Sequence, residues 1–134
     1  MNQKTFKTDY EFGKSKELSI LNTIKEYFND PDIKQSSNTY ERYDFIGNNI
    51  YELKSRNCNY STYPTTLLPK SKIIKTDKPQ IFLFNFTDGL YYIKYEPSIF
   101  DTIDCKMFKR NTRSDYNDIP QPYYHIPIRI LQKI

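Results

Sequence analysis

The sequence predicts a mixed α/β (α+β) domain built on one central sheet, and three stretches carry that prediction. Leu18, Leu21, Ile24 and Phe28 recur at spacings of three and four, the period of a helix with a single apolar stripe. Gln80 to Phe86 is almost continuously apolar, as in a strand covered on both faces. Tyr124, Ile126, Ile128 and Ile130 fall on alternate positions, the period of a strand with one buried face. Only 37% of the 134 residues are apolar, but 13 Tyr and 9 Phe bury enough area each to fill one core, so residues 1–134 read as one domain.

Each element follows in chain order. Asp9 is placed to cap the first helix and Asn29-Asp30-Pro31 to end it, since the residue before proline is pushed out of the helical region. Gly13 costs roughly 1 kcal/mol against Ala inside a helix, which points to a close backbone contact on that face. Glu17 lies four residues before Leu21, at the edge of the apolar stripe, where a carboxylate calls for a cationic neighbour. Tyr40 to Ile46 and Ile50 to Ser55 read as strands joined by Gly47-Asn48-Asn49, residues that tolerate positive φ. Pro64, Pro69 and Pro79 interrupt residues 57–80, which read as a loop with a short helix or turn around Leu67 to Lys75. Asp88-Gly89 turns the apolar strand back into Leu90 to Tyr95. A short helix after Pro97 leads into a polar, basic loop, and Pro127 confines the last strand to a sheet edge.

Several classes are excluded. The longest apolar run, Ile81-Phe82-Leu83-Phe84, is too short for a membrane helix, and the first 17 residues hold no signal-peptide hydrophobic region. Cys58 and Cys105 cannot by themselves build a disulfide scaffold or a four-ligand zinc site, and they read as free thiols. The expectation is an intracellular, soluble chain with no membrane partner. Ala, Val and Trp are absent while Lys, Asn, Ile and Tyr abound, which reads as an AT-rich coding sequence.

Net charge is +4, and its distribution is uneven. Residues 1–52 hold nine acids and seven bases, whereas residues 53–80 hold one acid, Asp77, and six bases: Lys54, Arg56, Lys70, Lys72, Lys75 and Lys78. A local basic patch of this kind suits a phosphate-bearing partner.

The acids just before that patch have a telling spacing. If residues 47–49 form the loop, 46 pairs with 50 and 44 with 52, so Asp44 lies across from Glu52 with Cβ atoms about 5 Å apart. Two carboxylates so close repel unless a cation sits between them, and Mg²⁺, a hard ion with oxygen ligands, is the natural occupant. Lys54 shares the face of Glu52, about 6.6 Å further along the strand. A two-residue loop would turn Asp44 away, so the proposal depends on that register. Asp32-Ile33-Lys34 and Asp104-Cys105-Lys106 repeat the acid-x-Lys triplet, but only Glu52-Leu53-Lys54 has an acid at hairpin distance and a basic segment after it.

Asp44, then Glu52-Leu53-Lys54 on the next strand, with Gly13-x-x-x-Glu17 on a preceding helix, resembles the PD-(D/E)XK nuclease superfamily in its compact phage and large-DNA-virus forms. The resemblance spans roughly residues 9–95 and extends to Tyr63-Pro64-Thr65-Thr66 with Lys70 and Lys72; Tyr43 stands where the motif often carries proline. It implies a restriction-endonuclease-like central mixed sheet with flanking helices, and a Mg²⁺-dependent endonuclease acting on duplex or branched DNA. Mn²⁺ would substitute, the product would keep a 5′-phosphate, and a homodimer would cut both strands. In that scheme Asp44, Glu52 and Glu17 hold the metal and Lys54 orients or deprotonates the attacking water. Arg56, Lys70, Lys72 and Lys75 grip the flanking phosphates. The alternative is a nuclease-like fold that no longer cuts and serves as a DNA-binding module.

Other residues offer less. His125, the only histidine, lies opposite the Ile stripe in a surface or capping position. Tyr60 and Tyr63 could stack on bases. Lys106, Lys109, Arg110 and Arg113 form a second basic cluster.

Overall fold

The computed structural model describes residues 6–36, 42–109 and 119–134, the side chains of 6–16 excepted. Helix α1 (Phe6–Tyr27) leads into β1 (Lys34–Gln35), β2 (Phe45–Ile46) and β3 (Ile50–Ser55). Then come β4 (Thr65–Pro69), a 3₁₀ turn over Lys70–Lys72, β5 (Gln80–Phe86), β6 (Gly89–Lys94) and α2 (Pro97–Phe100). Strands β7 (Cys105–Phe108) and β8 (Gln121–Pro127), a 3₁₀ turn over Ile128–Ile130 and β9 (Gln132–Lys133) complete the chain. The fold is mixed α+β, as the sequence predicts, but it holds two sheets where one was expected. Six strands run in the order β1-β2-β3-β5-β6-β9 and three in the order β4-β8-β7.

Helix α1 begins before Asp9, which therefore lies within it and does not cap it. Its stop is a Schellman-type ending: Asn29 takes φ 52°, the Asp30 N–H bonds the Lys25 carbonyl at 2.9 Å and the Asn29 N–H bonds that of Glu26 at 3.2 Å. Ile20, Leu21 and Ile24 are buried while Leu18 is 50% exposed, so the buried stripe passes through Ile20 instead of Leu18. The packing around Gly13 lies outside the described side chains.

Alternation along β5 divides the interior into two cores. Ile81 and Leu83 pack with Ile20, Leu21 and Ile24 of α1 and with Phe45 and Tyr51. Phe82, Phe84 and Phe86 pack with Leu68, Tyr124 and Ile126 of the smaller sheet. The six-stranded sheet thus lies between α1 and the three-stranded sheet, and β5 is covered on both faces. Strands β3 and β5 are parallel, with Glu52 beside Phe82 and Lys54 beside Phe84. Glu52 and Lys54 therefore share the face that looks toward the smaller sheet, and Tyr51 and Leu53 look toward α1.

Parallel neighbours need a long crossover, and residues 56–79 provide it. This crossover carries β4 and the first 3₁₀ turn, so the region read as a loop with a turn contains a strand as well. Strand β8 is central, flanked by β4 and β7, which corrects its assignment to an edge. The Ile128 N–H bonds the Pro64 carbonyl, so by alternation the nitrogen of Pro127 faces the β7 side. Strand β7 has already ended there, since its first pair is Cys105 with Tyr124. Ile128 and Ile130 leave the strand for a 3₁₀ turn.

The β2–β3 hairpin has the three-residue loop, with Phe45 paired to Tyr51 and Ile46 to Ile50; of the strand predicted from Tyr40, only Phe45 and Ile46 are extended, and residues 40 and 41 lie outside the described residues. No described glycine has positive φ, so Gly47 serves another need. A Cβ there would stand 2.5 Å from Asp30 Oδ2 and 2.7 Å from Ile33 Cγ1. Buried Asp30 accepts the Asn48 N–H at 2.7 Å and the Asp32 N–H at 3.3 Å, fastening the loop to the end of α1. Lys78 Nζ donates to the Gly47 carbonyl at 2.6 Å from the other side. Gly47→Ala should cost about 1–3 kcal/mol through overpacking, read as a lower urea midpoint with an unchanged m-value.

A second anchor joins α1 to the far strands. Tyr92 donates to Gln132 at 2.8 Å, and its hydroxyl lies 3.4 Å from that of Tyr27. Burial, reinforced by Tyr27, pushes the Tyr92 phenol from 10.0 up to about 12. The unfolded phenol ionises first, so this contribution is whole below its ordinary pKa and falls as pH rises from there toward the folded value. Tyr92→Phe should flatten the alkaline loss of stability over that window, followed by thermal melts at stepped pH.

Candidate functional site

The hairpin ladder pairs Phe45 with Tyr51 and Ile46 with Ile50, and Asp44 lies just beyond it. Asp44 stands one residue before β2, where the chain leaves the ladder: its N–H bonds the Tyr51 carbonyl at 2.8 Å and its Oδ2 accepts the Leu53 N–H at 2.7 Å. The carboxylate takes the place of a strand carbonyl on the edge of β3, at the amide of the residue that follows Glu52.

Glu52 is 6% exposed, which is rare for a carboxylate without charged partners. Two cations meet its Oε2, Lys54 Nζ at 3.5 Å and Lys72 Nζ at 3.3 Å. Lys54 comes from the same strand face. Burial pulls its pKa down and the adjacent Glu52 carboxylate partly offsets that pull. Lys72 comes from the crossover, and two side chains hold its turn in place. Gln80, buried at the start of β5, donates Nε2 to the Lys72 carbonyl at 2.8 Å and accepts the Ile74 N–H at 3.3 Å. Arg42 donates to the Ser71 carbonyl at 2.5 Å.

Glu17 does not join this cluster. Its Oε1 accepts from Gln35 Nε2 at 3.0 Å, and Gln35 pairs with Phe45, whose side chain packs against α1. Glu17 therefore sits on the α1 side of the sheet and Glu52 on the other, and the neighbour of Glu17 is an amide in place of the expected cation. Among the described residues no three Asp, Glu, His or Cys side chains are grouped to hold a metal ion, which corrects the expected three-acid set. What converges is one acid, Glu52, and two lysines, with Asp44 held at the amide of the next residue, Leu53.

The remaining bases divide. Lys70 and Lys75 are exposed. Arg56 is half-buried: its Nε donates to Thr66 Oγ1 at 2.9 Å, its Nη2 to the Leu67 carbonyl, and its guanidinium lies 5.5 Å from the Phe84 ring centroid. Arg56 thus clamps β3 to β4, in place of the expected phosphate contact. His125 is half-buried with its N–H on the Asp104 carbonyl at 2.8 Å, and its Nε2 finds no partner among the described residues. Cys58 and Cys105 are free thiols. Lys106 and Lys109 are exposed, whereas Arg110 and Arg113 lie outside the described residues. Sequence reasoning missed Gln80 and Arg42, which orient Lys72; a lone amide heading an apolar strand was the one available signal.

No family model, curated protein or solved structure matches the chain. No helix among the described residues is long and apolar enough to cross a membrane.

Arg56→Lys keeps the charge but loses the fork that reaches Thr66 and Leu67 together. It should cost roughly 1–3 kcal/mol in denaturant unfolding, and Thr66→Val should reproduce part of that loss.

Proposed function

We propose that the protein is a divalent-metal-dependent nuclease that hydrolyses phosphodiester bonds in DNA. One observation carries this reading: a buried Glu52 is bracketed by Lys54 and Lys72, with the Asp44 carboxylate fixed at the amide of the next residue. The donor set suits a hard cation. A carboxylate has more acceptor sites than the Leu53 N–H uses, and Mg²⁺ needs only one or two protein carboxylates when water and phosphate oxygens complete its shell.

Asp44 and Glu52 would hold the ion, with Mn²⁺ as a substitute. Such an ion, when bound, supplies Lewis acidity that neutralises phosphoryl charge and acidifies water. Lys54 orients the attacking water and, in the neutral amine form that its burial favours, takes up the water's proton. The water oxygen bonds to phosphorus while the P–O3′ bond breaks, and the 3′ oxygen leaves with a proton from solvent. The 5′-phosphate stays on the product, as the family resemblance implies. Lys72 balances charge on the phosphate, and exposed Lys70 and Lys75 hold its neighbours.

The two ammonium groups already on Glu52 favour a second reading, a nuclease-like module that binds DNA without cutting it. Supercoiled plasmid and branched DNA, incubated with Mg²⁺ or EDTA, separate the two. Metal-dependent nicking that falls roughly 10²–10⁴-fold in Glu52→Ala and Lys54→Ala is expected, with Glu17→Gln close to wild type. Binding without cleavage, unchanged in those variants, supports the module.

A further inference from the structure

Beyond the phosphate cluster, the same face of β3 runs into a cavity of about 440 Å³, within the range of small-ligand pockets. It lies between the residues that follow β3 and the outer edge of β4, with Phe86 and Ile128 closing it. Its aromatic wall is rigid. The Tyr60 ring stacks on Tyr91 with centroids 4.0 Å apart and meets Phe86 edge-on at 5.8 Å, and its hydroxyl donates to the Ile128 carbonyl at 2.7 Å. Tyr63 also lines the cavity and is 62% exposed, far more than a packing role needs.

The opposite wall offers hydrogen bonds. Strand β4 has a neighbour on one side only, β8. Because Pro64 bonds to Ile128, alternation turns the backbone groups of Thr65 and Leu67 toward the open side. Arg56 takes the Leu67 carbonyl. Among the described residues, the Thr65 N–H and carbonyl and the Leu67 N–H have no partner. Flat aromatic faces and a row of unpaired donors and acceptors therefore meet in one cavity.

We propose that this cavity receives an unpaired nucleobase of the strand whose phosphate lies at Glu52, Lys54 and Lys72. The proposal rests on the nuclease reading and names its substrate as DNA with unstacked bases. Charge supports that occupant over an extended peptide: the segment that supplies most of the lining also carries the exposed Lys70 and Lys75 and the Lys54 and Lys72 ammonium groups at Glu52. Glu52, Lys54 and Arg56 follow one another at about 6.6 Å per step, so a backbone that reaches the cluster passes the cavity mouth.

Cys58 lines the cavity and reports on its occupancy. In a Cys105→Ser background with EDTA, which prevents cleavage, Cys58 is alkylated alone or with a short single-stranded thymidine oligonucleotide. An abasic oligonucleotide of equal length and a blunt duplex serve as the other probes. Protection by the thymidine strand, and little by the abasic strand or the duplex, is expected. Tyr63→Ala should weaken binding of the thymidine strand about tenfold or more and leave binding of the abasic strand unchanged. Equal protection by both strands, or equal loss for both in Tyr63→Ala, overturns the proposal. Base-dependent protection without Mg²⁺-dependent nicking would sink the hydrolytic reading alone; nicking without base dependence would remove the pocket alone.

Discussion

The register of one short hairpin governs what every charged side chain on β3 does. Asp30 at the end of α1 grips the Asn48 amide, Gly47 fits only because it lacks a Cβ, and the loop is held to three residues. With that length fixed, Phe45 and Tyr51 enter the core under α1 and Glu52 and Lys54 turn to the opposite face. A slip of one residue would send Glu52 into the apolar contact with the helix and expose Tyr51. Packing and chemistry are thus set by the same constraint.

The face on which Glu52 lands is not neutral ground. Phe82, Phe84 and Phe86 line it, and the three-stranded sheet covers much of it. A carboxylate withdrawn from water in such surroundings requires cations, and the crossover delivers one that the strand alone could not. Gln80 and Arg42 matter for this reason: neither bears on the charge of Glu52 directly, yet both fasten the turn from which Lys72 reaches it. The charge balance of Glu52 is therefore coupled to the position of the crossover.

The sequence revealed what depends on local period and turn chemistry. Strands β3 and β5, the end of α1 and the three-residue loop were all legible. What failed depended on contacts distant in the chain. Strand β4 hides among prolines because its partner lies about 60 residues away, and β7 shows no buried–exposed alternation because solvent meets both its faces. Glu17 has the right helical spacing for a site residue, but spacing on a helix does not say which sheet face the helix covers. Arg56 looked like a surface base, and only the arrival of β4 gives its guanidinium a carbonyl and a hydroxyl to hold.

That internal use of bases changes how the positive segment behaves toward a polyanion. Lys54 and Lys72 are tied to Glu52, Arg56 to Thr66 and Leu67, and Lys78 to the Gly47 carbonyl. Lys70 and Lys75 are the two of the six without a side-chain partner among the described residues. Counterion release follows the number of cations that reach phosphate, not the number written in the chain. A polyanion meeting this segment would therefore find far fewer free cations than six positive charges suggest, and its binding would respond to ionic strength more gently than that count implies.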